Sequence, residues 1–273
     1  MIASVPDITL CHGDEDLRGK VLVTPCTDIA QVHVVVCGHS HVAPIRRAVV
    51  GRGEKTAAAL GIAVAASSTS KSAEFWDFVT GLTASRDLAV VWTGNQVNAW
   101  FMFAPRAFDF VPSATPDCEI IDGAEIVPEA IVRDHFCSSL AGLGELLDKA
   151  GKAPGFRRYV LGTPPPLRDA ELIRRRLTRE PHFAALAQHM GVDLDTVPIT
   201  PWQVRLKLWH VLQQLMQEIA DEKGAAFVPA PSVAIDSDGC LKVDYSVGDV
   251  THGATNYGEA HLDDLAAHLR EAA

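Results

Sequence analysis

The chain has 273 residues, of which 48% are hydrophobic and 21% are charged, a composition that can bury a core and excludes a disordered protein. Its 24 basic and 34 acidic residues give a net charge of −10, which argues against nucleic acid or an anionic membrane as partners, because both attract a positive protein surface. No apolar run is long enough to predict a membrane-spanning helix, and residues 1–16 lack the pattern of a secretion signal. The six cysteines are scattered without metal-binding spacing, so we expect free thiols and a cytoplasmic location.

Short apolar runs alternate with longer helical patterns along the chain. Five runs are predicted strands, at residues 32–38, 61–67, 87–94, 156–167 and 225–231. Helices are predicted at residues 44–60, 71–84, 128–151, 202–224 and 256–272, and a short extra strand at 241–246. This order is typical of a parallel sheet covered by helices, so we predict an α/β fold, a three-layer α/β/α sandwich with a mostly parallel five-stranded sheet.

The middle of the chain has a different character. Residues 105–127 are rich in Pro, Asp and Gly, and residues 168–201 contain a basic helical stretch and a polar connection. We therefore predict a single domain over residues 1–273 with an inserted, cap-like region around 105–200. The run Arg174-Arg175-Arg176 is most simply a solvated helix face, with contact to an anionic substrate as the alternative.

Three polar clusters fall where chemistry is expected in such a fold. Gly38-His39-Ser40-His41 directly follows the first strand, residues 93–98 follow the third, and Asp249-Val250-Thr251-His252 precedes the last helix. Ligand sites of parallel α/β sheets lie beyond the carboxyl ends of the strands. Together the clusters contain a serine, an amide donor and an Asp–His pair, the components of an activated serine nucleophile. Each cluster alone also has a plain structural interpretation as a turn, a helix cap or a loop.

The order of the three clusters resembles that of the SGNH (GDSL-like) hydrolases. That family has a Gly-Asp-Ser block after its first strand, a Gly-x-Asn block after its third and an Asp-x-x-His block before its last helix. The corresponding segments here are GHS at 38–40, GNQ at 94–96 and DVTH at 249–252. The resemblance covers both ends of the framework and does not extend to residues 105–200.

The resemblance implies a role for individual residues. Ser40 would be the nucleophile, His252 the general base and Asp249 the group that orients the imidazole. The Ser40 backbone N–H and the Asn95 side chain would form the oxyanion hole. The family's third donor is a glycine after the second strand; this chain has a serine-rich turn there, and we assign Ser70 as the third donor.

A second departure from the family lies beside the nucleophile, where His39 replaces the usual aspartate. We expect His39, His41 and Asn98 to contact substrate. Altered support of the nucleophile turn is an alternative for His39, and a zinc or nickel site at His39 and His41 is another. No metal or other cofactor is part of the expected mechanism.

These inferences predict a hydrolase that cleaves an ester or thioester through an acyl-serine intermediate. The expected substrate is a small-molecule or saccharide acyl ester. Two alternatives remain open: transfer of the acyl group to a sugar or another alcohol, and a degenerate, non-catalytic binding protein of the same fold.

Overall fold

The computed structural model describes residues 20–24, 29–38, 40–52, 61–67, 73–92, 99–150 and 155–271. Its strands are β1 Lys20–Val23, β2 Val34–Gly38, β3 Ile62–Ser67, β4 Asp87–Val91, β5 Phe108–Asp109, β6 Glu125–Ile126, β7 Arg158–Leu161 and β8 Ala226–Val228. Its α-helices are α1 Ala43–Arg52, α2 Ala73–Leu82, α3 Glu129–Ala150, α4 Ala170–Leu177, α5 Pro181–Met190, α6 Trp202–Glu222 and α7 Thr255–Glu271.

The main sheet has the strand order β1-β3-β2-β4-β7-β8. Five of these strands run parallel, and they are the five that the apolar runs predict. Strand β1 is an addition that the sequence analysis missed; it pairs antiparallel with β3 at the edge of the sheet. The prediction of an α/β fold with a mostly parallel sheet is confirmed.

Helices cover both faces of this sheet, and the three layers are helices, sheet and helices. Helices α2, α3 and α6 pack on one face, against side chains that include Val35 and Cys37 of β2. Helices α1 and α7 pack on the other face, against Val34 and Val36. Successive residues of a strand point to opposite faces, so a strand covered on both sides must be apolar throughout. This is why the sequence of β2 is an uninterrupted hydrophobic run.

Two glycines permit close approaches around the end of β2. A Cβ atom at Gly38 would lie 2.4 Å from the carbonyl oxygen of Val91, the last residue of the neighbouring strand β4. A Cβ atom at Gly258 would lie 2.2 Å from the carbonyl oxygen of Pro44, where α7 crosses the first turn of α1. Glycine at position 38 therefore allows β2 to lie close to the end of β4, and glycine at position 258 allows α7 to pack closely on α1.

The region predicted as a cap contributes elements to the sandwich itself. Helix α3 packs against α6, and β7 lies between β4 and β8. Strands β5 and β6 form a separate two-stranded sheet. Asp109 of β5 is fully buried, and its two carboxylate oxygens lie 3.0 and 3.1 Å from Lys207 Nζ of α6, so an ion pair joins this small sheet to the core.

Two parts of the sequence-based assignment differ from the structure. The predicted strand at 241–246 is wrong: Val243–Tyr245 form a 3-10 helix, and among the described residues the β pairing of this segment is limited to two isolated bridges, Ile235 with Leu241 and Ser246 with Gly253. The basic stretch after residue 168 forms two helices, α4 and α5, and the chain turns between them at Glu180. None of the helices in the described ranges is long and apolar enough to cross a membrane.

Candidate active site

Ser40 lies just beyond the carboxyl end of the central strand. Strand β2 ends at Gly38, and Ser40 begins a 3-10 turn, Ser40–Val42, that leads directly into α1. Ser40 is exposed, whereas the next residue, His41, is buried. The turn therefore presents the serine to solvent and fixes its neighbour in the interior.

Asp249 and His252 form a hydrogen-bonded pair in the loop before α7. Asp249 Oδ2 lies 2.8 Å from His252 Nδ1. The other carboxylate oxygen, Oδ1, accepts the backbone N–H groups of Thr251 and His252 at 2.9 and 2.8 Å. One carboxylate thus closes the loop and orients the imidazole at its end.

The electrostatics of this pair favour one tautomer of the histidine. Burial alone would raise the pKa of Asp249, but the hydrogen bond and charge of His252 and the two backbone N–H groups outweigh it and hold that pKa at about 2. The carboxylate is therefore ionised at neutral pH and accepts the proton on His252 Nδ1. Nε2 of a neutral His252 is then left with a lone pair, as a general base requires.

His41 brings the serine turn and the Asp249–His252 loop into contact. Its ring stacks on that of His252, with centroids 4.3 Å apart and planes inclined by 29°. Burial and the charge of His252 hold the pKa of His41 well below its usual value, against a smaller opposite effect of Asp249. His41 was expected to contact substrate; its side chain is only 8% exposed and packs on the imidazole of His252.

The expected hydrogen bond between Ser40 and His252 is not formed. His252 Nε2 is buried and has no hydrogen-bond partner among the residues that the structure describes. Catalytic hydrogen bonds of this kind often tighten only when substrate is bound. Ser40, one residue before His41, is nevertheless on the turn that packs against His252.

Three residues that the sequence analysis did not assign to the site hold the loop in place. Arg47 of α1 donates to the carbonyl oxygen of Gly253 at 3.2 Å. Arg176 of α4 donates to the carbonyl oxygen of Asp249 at 2.7 Å and to Ser246 Oγ at 2.9 Å. Glu180 accepts the backbone N–H of Val250 at 3.0 Å. No motif marks these residues; the only sequence signal was the arginine run.

Two side chains of that arginine run make hydrogen bonds to the backbone of the protein. Arg174 donates to the carbonyl oxygens of Leu194, Asp195 and Val197, while Arg176 holds the Asp249 loop. Arg175 is exposed. Two of the three guanidinium groups therefore bind backbone within the protein.

Four of the predicted site residues, His39, Ser70, Asn95 and Asn98, lie outside the described residues. The strands that precede them are described: β3, which ends at Ser67, and β4, which ends at Val91, pair with β2 on either side. In the described part of the chain, no group of three or more His, Cys, Asp or Glu side chains is placed to hold a metal ion.

No family model matches the sequence, and a comparison with curated proteins finds no match. Among solved structures, the chain is similar to a GDSL-like lipase from Bacteroides thetaiotaomicron, with 14% identity, a TM-score of 0.44 and coverage of 89% of this chain and 88% of that one. It is also similar to an extracellular lipase from Streptomyces rimosus, with 14% identity, a TM-score of 0.48 and coverage of 86% and 99%. A phospholipase A1 from Streptomyces albidoflavus gives 14% identity, a TM-score of 0.48 and coverage of 86% and 98%. Because these TM-scores are below 0.5, the function proposed next rests on the residues of this chain.

Proposed function

We propose that the protein is a serine-dependent acyl-ester hydrolase that acts through an acyl-Ser40 intermediate. The observation that carries the proposal is the orientation of His252: ionised Asp249 binds its Nδ1, and the ring stacks on the residue next to Ser40. A solvent-accessible serine, a base with its lone pair on Nε2 and a carboxylate that fixes the tautomer are the three parts of an acyl-transfer site.

The proposed reaction has two halves. In the first, Ser40 Oγ attacks the ester carbonyl carbon while His252 Nε2 takes the hydroxyl proton; the imidazolium then gives this proton to the leaving alkoxide as its bond to carbon breaks. In the second, His252 removes a proton from water, the resulting hydroxide attacks the acyl carbon, and the proton returns to Ser40 Oγ as the acid leaves. Asp249 remains ionised throughout and stabilises the imidazolium.

The negative oxygen that forms in each half needs hydrogen-bond donors. We assign this role to the backbone N–H of Ser40 and the side chain of Asn95, with Ser70 as the third donor. Strands β3, β2 and β4 are neighbours and parallel, so their carboxyl ends lie at the same edge of the sheet, and the three assigned residues follow these ends in the sequence. His39 and Asn98 remain proposed substrate contacts.

The test of the proposal is hydrolysis of p-nitrophenyl acetate by the parent chain and by Ser40→Ala. We expect turnover by the parent and none above background by the variant. Ser138, an exposed serine of α3, supplies the control substitution Ser138→Ala, which should hydrolyse at the parent rate. Equal rates for the parent and Ser40→Ala would contradict the mechanism, and a folded parent without turnover would favour a non-catalytic binding protein.

The same assay separates hydrolysis from acyl transfer. When a sugar or a simple alcohol is added, free acid remains the same fraction of the acyl product if the protein is a hydrolase. A transferase instead yields a new ester in proportion to the acceptor. Both outcomes retain acyl-Ser40, so they distinguish only the acceptor of the second half-reaction.

A further inference from the structure

Glu180 lies at the turn between α4 and α5 and reaches the loop that carries the proposed base. Its Oε1 accepts the backbone N–H of Val250 at 3.0 Å, and Val250 lies between Asp249 and His252. Arg176 of α4 binds the carbonyl oxygen of Asp249. The two side chains therefore hold the C=O and the N–H of a single peptide group, the one that joins Asp249 to Val250.

The charges around Glu180 connect it to the dyad. Burial and the charge of Asp249 raise the pKa of Glu180, while the Val250 N–H, His252 and Arg176 act in the opposite direction. The ring of His41 stacks on that of His252. From α1, Arg47 binds the carbonyl oxygen of Gly253. Glu180 is thus a second carboxylate, beside Asp249, within electrostatic range of the His252 imidazole.

We propose that Glu180 is a positioning residue that fixes the Asp249–His252 loop and supplies a second negative charge to His252. The proposal rests on the function proposed above. When His252 takes the proton of Ser40, positive charge develops on the imidazole, and an ionised Glu180 stabilises that charge together with Asp249. Glu180 itself neither gains nor loses a proton in the reaction.

Glu180→Gln separates the two roles. The amide oxygen of glutamine can still accept the Val250 N–H, but the charge is gone. Without that charge the protonated imidazole is less stable, so its protonation requires a more acidic solution. We expect the acidic limb of the kcat/KM profile to move about 0.5–1 pH unit lower, and kcat on the plateau to fall about two- to tenfold.

Two further variants define the comparison. Glu180→Ala also removes the acceptor for the Val250 N–H, and we expect a larger loss of kcat than for Glu180→Gln, about tenfold or more. Glu171→Gln changes the same charge at an exposed position of α4 and should reproduce the parent profile. A Glu171→Gln profile displaced as far as that of Glu180→Gln would attribute the shift to net charge and overturn the proposal.

The closing experiment records the pH titration of the His252 ring by NMR alongside Ser40-dependent turnover. We expect both the NMR midpoint of His252 and the acidic limb of the kcat/KM profile to lie at lower pH in Glu180→Gln than in the parent. An unchanged NMR midpoint would overturn the proposal for Glu180. A shifted midpoint in a protein without Ser40-dependent turnover would instead overturn the hydrolase function and leave the coupling between Glu180 and His252 in place.

Discussion

The ring of His41 stacks on the ring of His252, with centroids 4.3 Å apart and planes inclined by 29°, and so joins the turn that begins at Ser40 to the loop that ends at His252. The two rings come from opposite ends of the chain. A second contact has the same effect, because Arg47 of α1 binds Gly253, the residue after His252. The nucleophile turn and the base loop therefore form one packed unit.

His41 should make the protein less stable in acid. Its pKa is well below the usual value of 6.5, so as the pH falls below 6.5 the unfolded chain binds a proton that the folded chain does not. The free energy of unfolding should therefore fall with decreasing pH, by at most about 1.4 kcal/mol per pH unit for this one proton. In His41→Phe the ring and the burial remain while the titration is lost, so the slope between pH 6.5 and 5 should be smaller, as measured by urea unfolding.

The control for this prediction is His189→Phe. His189 is exposed on α5, so its replacement should leave the slope unchanged. If the parent and His41→Phe lost stability in parallel as the pH falls, the account of a neutral, buried His41 would be wrong.

Asp249→Asn should remove most of the activity without unfolding the protein. The amide oxygen can still accept the N–H groups of Thr251 and His252, which preserves the loop. The amide nitrogen, however, donates to His252 Nδ1, and the imidazole proton moves to Nε2, where the lone pair is needed. We expect kcat to fall by about 10³–10⁴ with an unchanged circular dichroism spectrum.

Asp244 supplies the matched control, because it lies in the same loop region and is exposed. Asp244→Asn should hydrolyse ester within about twofold of the parent, the range typical of a surface change. More than a tenth of the parent activity in Asp249→Asn would exclude the assigned role of the carboxylate.

The buried pair of Asp109 and Lys207 should matter for stability rather than activity. Asp109 is fully buried, and besides Lys207 it accepts the backbone N–H groups of Phe110 and Ile121. Asp109→Ala leaves a buried ammonium without its counter-charge, which typically costs about 3–5 kcal/mol. We expect a loss of that size in urea unfolding, because this carboxylate is the counter-charge of Lys207 and also accepts the two backbone N–H groups.

Glu218, on the same helix, forms a solvent-accessible ion pair with Arg133. Glu218→Ala should cost no more than about 1 kcal/mol, since exposed pairs contribute little. Similar losses for Asp109→Ala and Glu218→Ala would show that burial does not determine how much each ion pair contributes to the free energy of unfolding.

The sequence was informative where the structure depends on local pattern. Continuous apolar runs predicted the five parallel strands of the main sheet, because strands covered on both faces must be apolar at every position. It failed for β1, which has only four residues and lies at the sheet edge. It also failed for residues 241–246, whose alternating pattern matched a strand although, within the described part of the chain, this segment makes only isolated bridges. A pattern shows which residues can form a strand, but not whether a neighbour is available.

The same distinction applies to the candidate site. Ser40, Asp249 and His252 lie in short blocks at the ends of elements, so a linear search finds them. Arg176 and Glu180 reach the loop across 73 and 70 residues of sequence, and those contacts exist only once α4 and α5 have packed. The arginine run gave no indication of whether its members bind solvent, substrate or backbone.

The central claim is that Ser40 becomes acylated because His252 removes its proton. The direct measurement is the mass of the protein after reaction with a serine-directed fluorophosphonate, followed by peptide mapping. We predict one adduct per chain, located on Ser40, and a rate of labelling at least about 10²-fold slower in His252→Ala. An unlabelled Ser40, or labelling that proceeds equally fast without His252, would contradict the account.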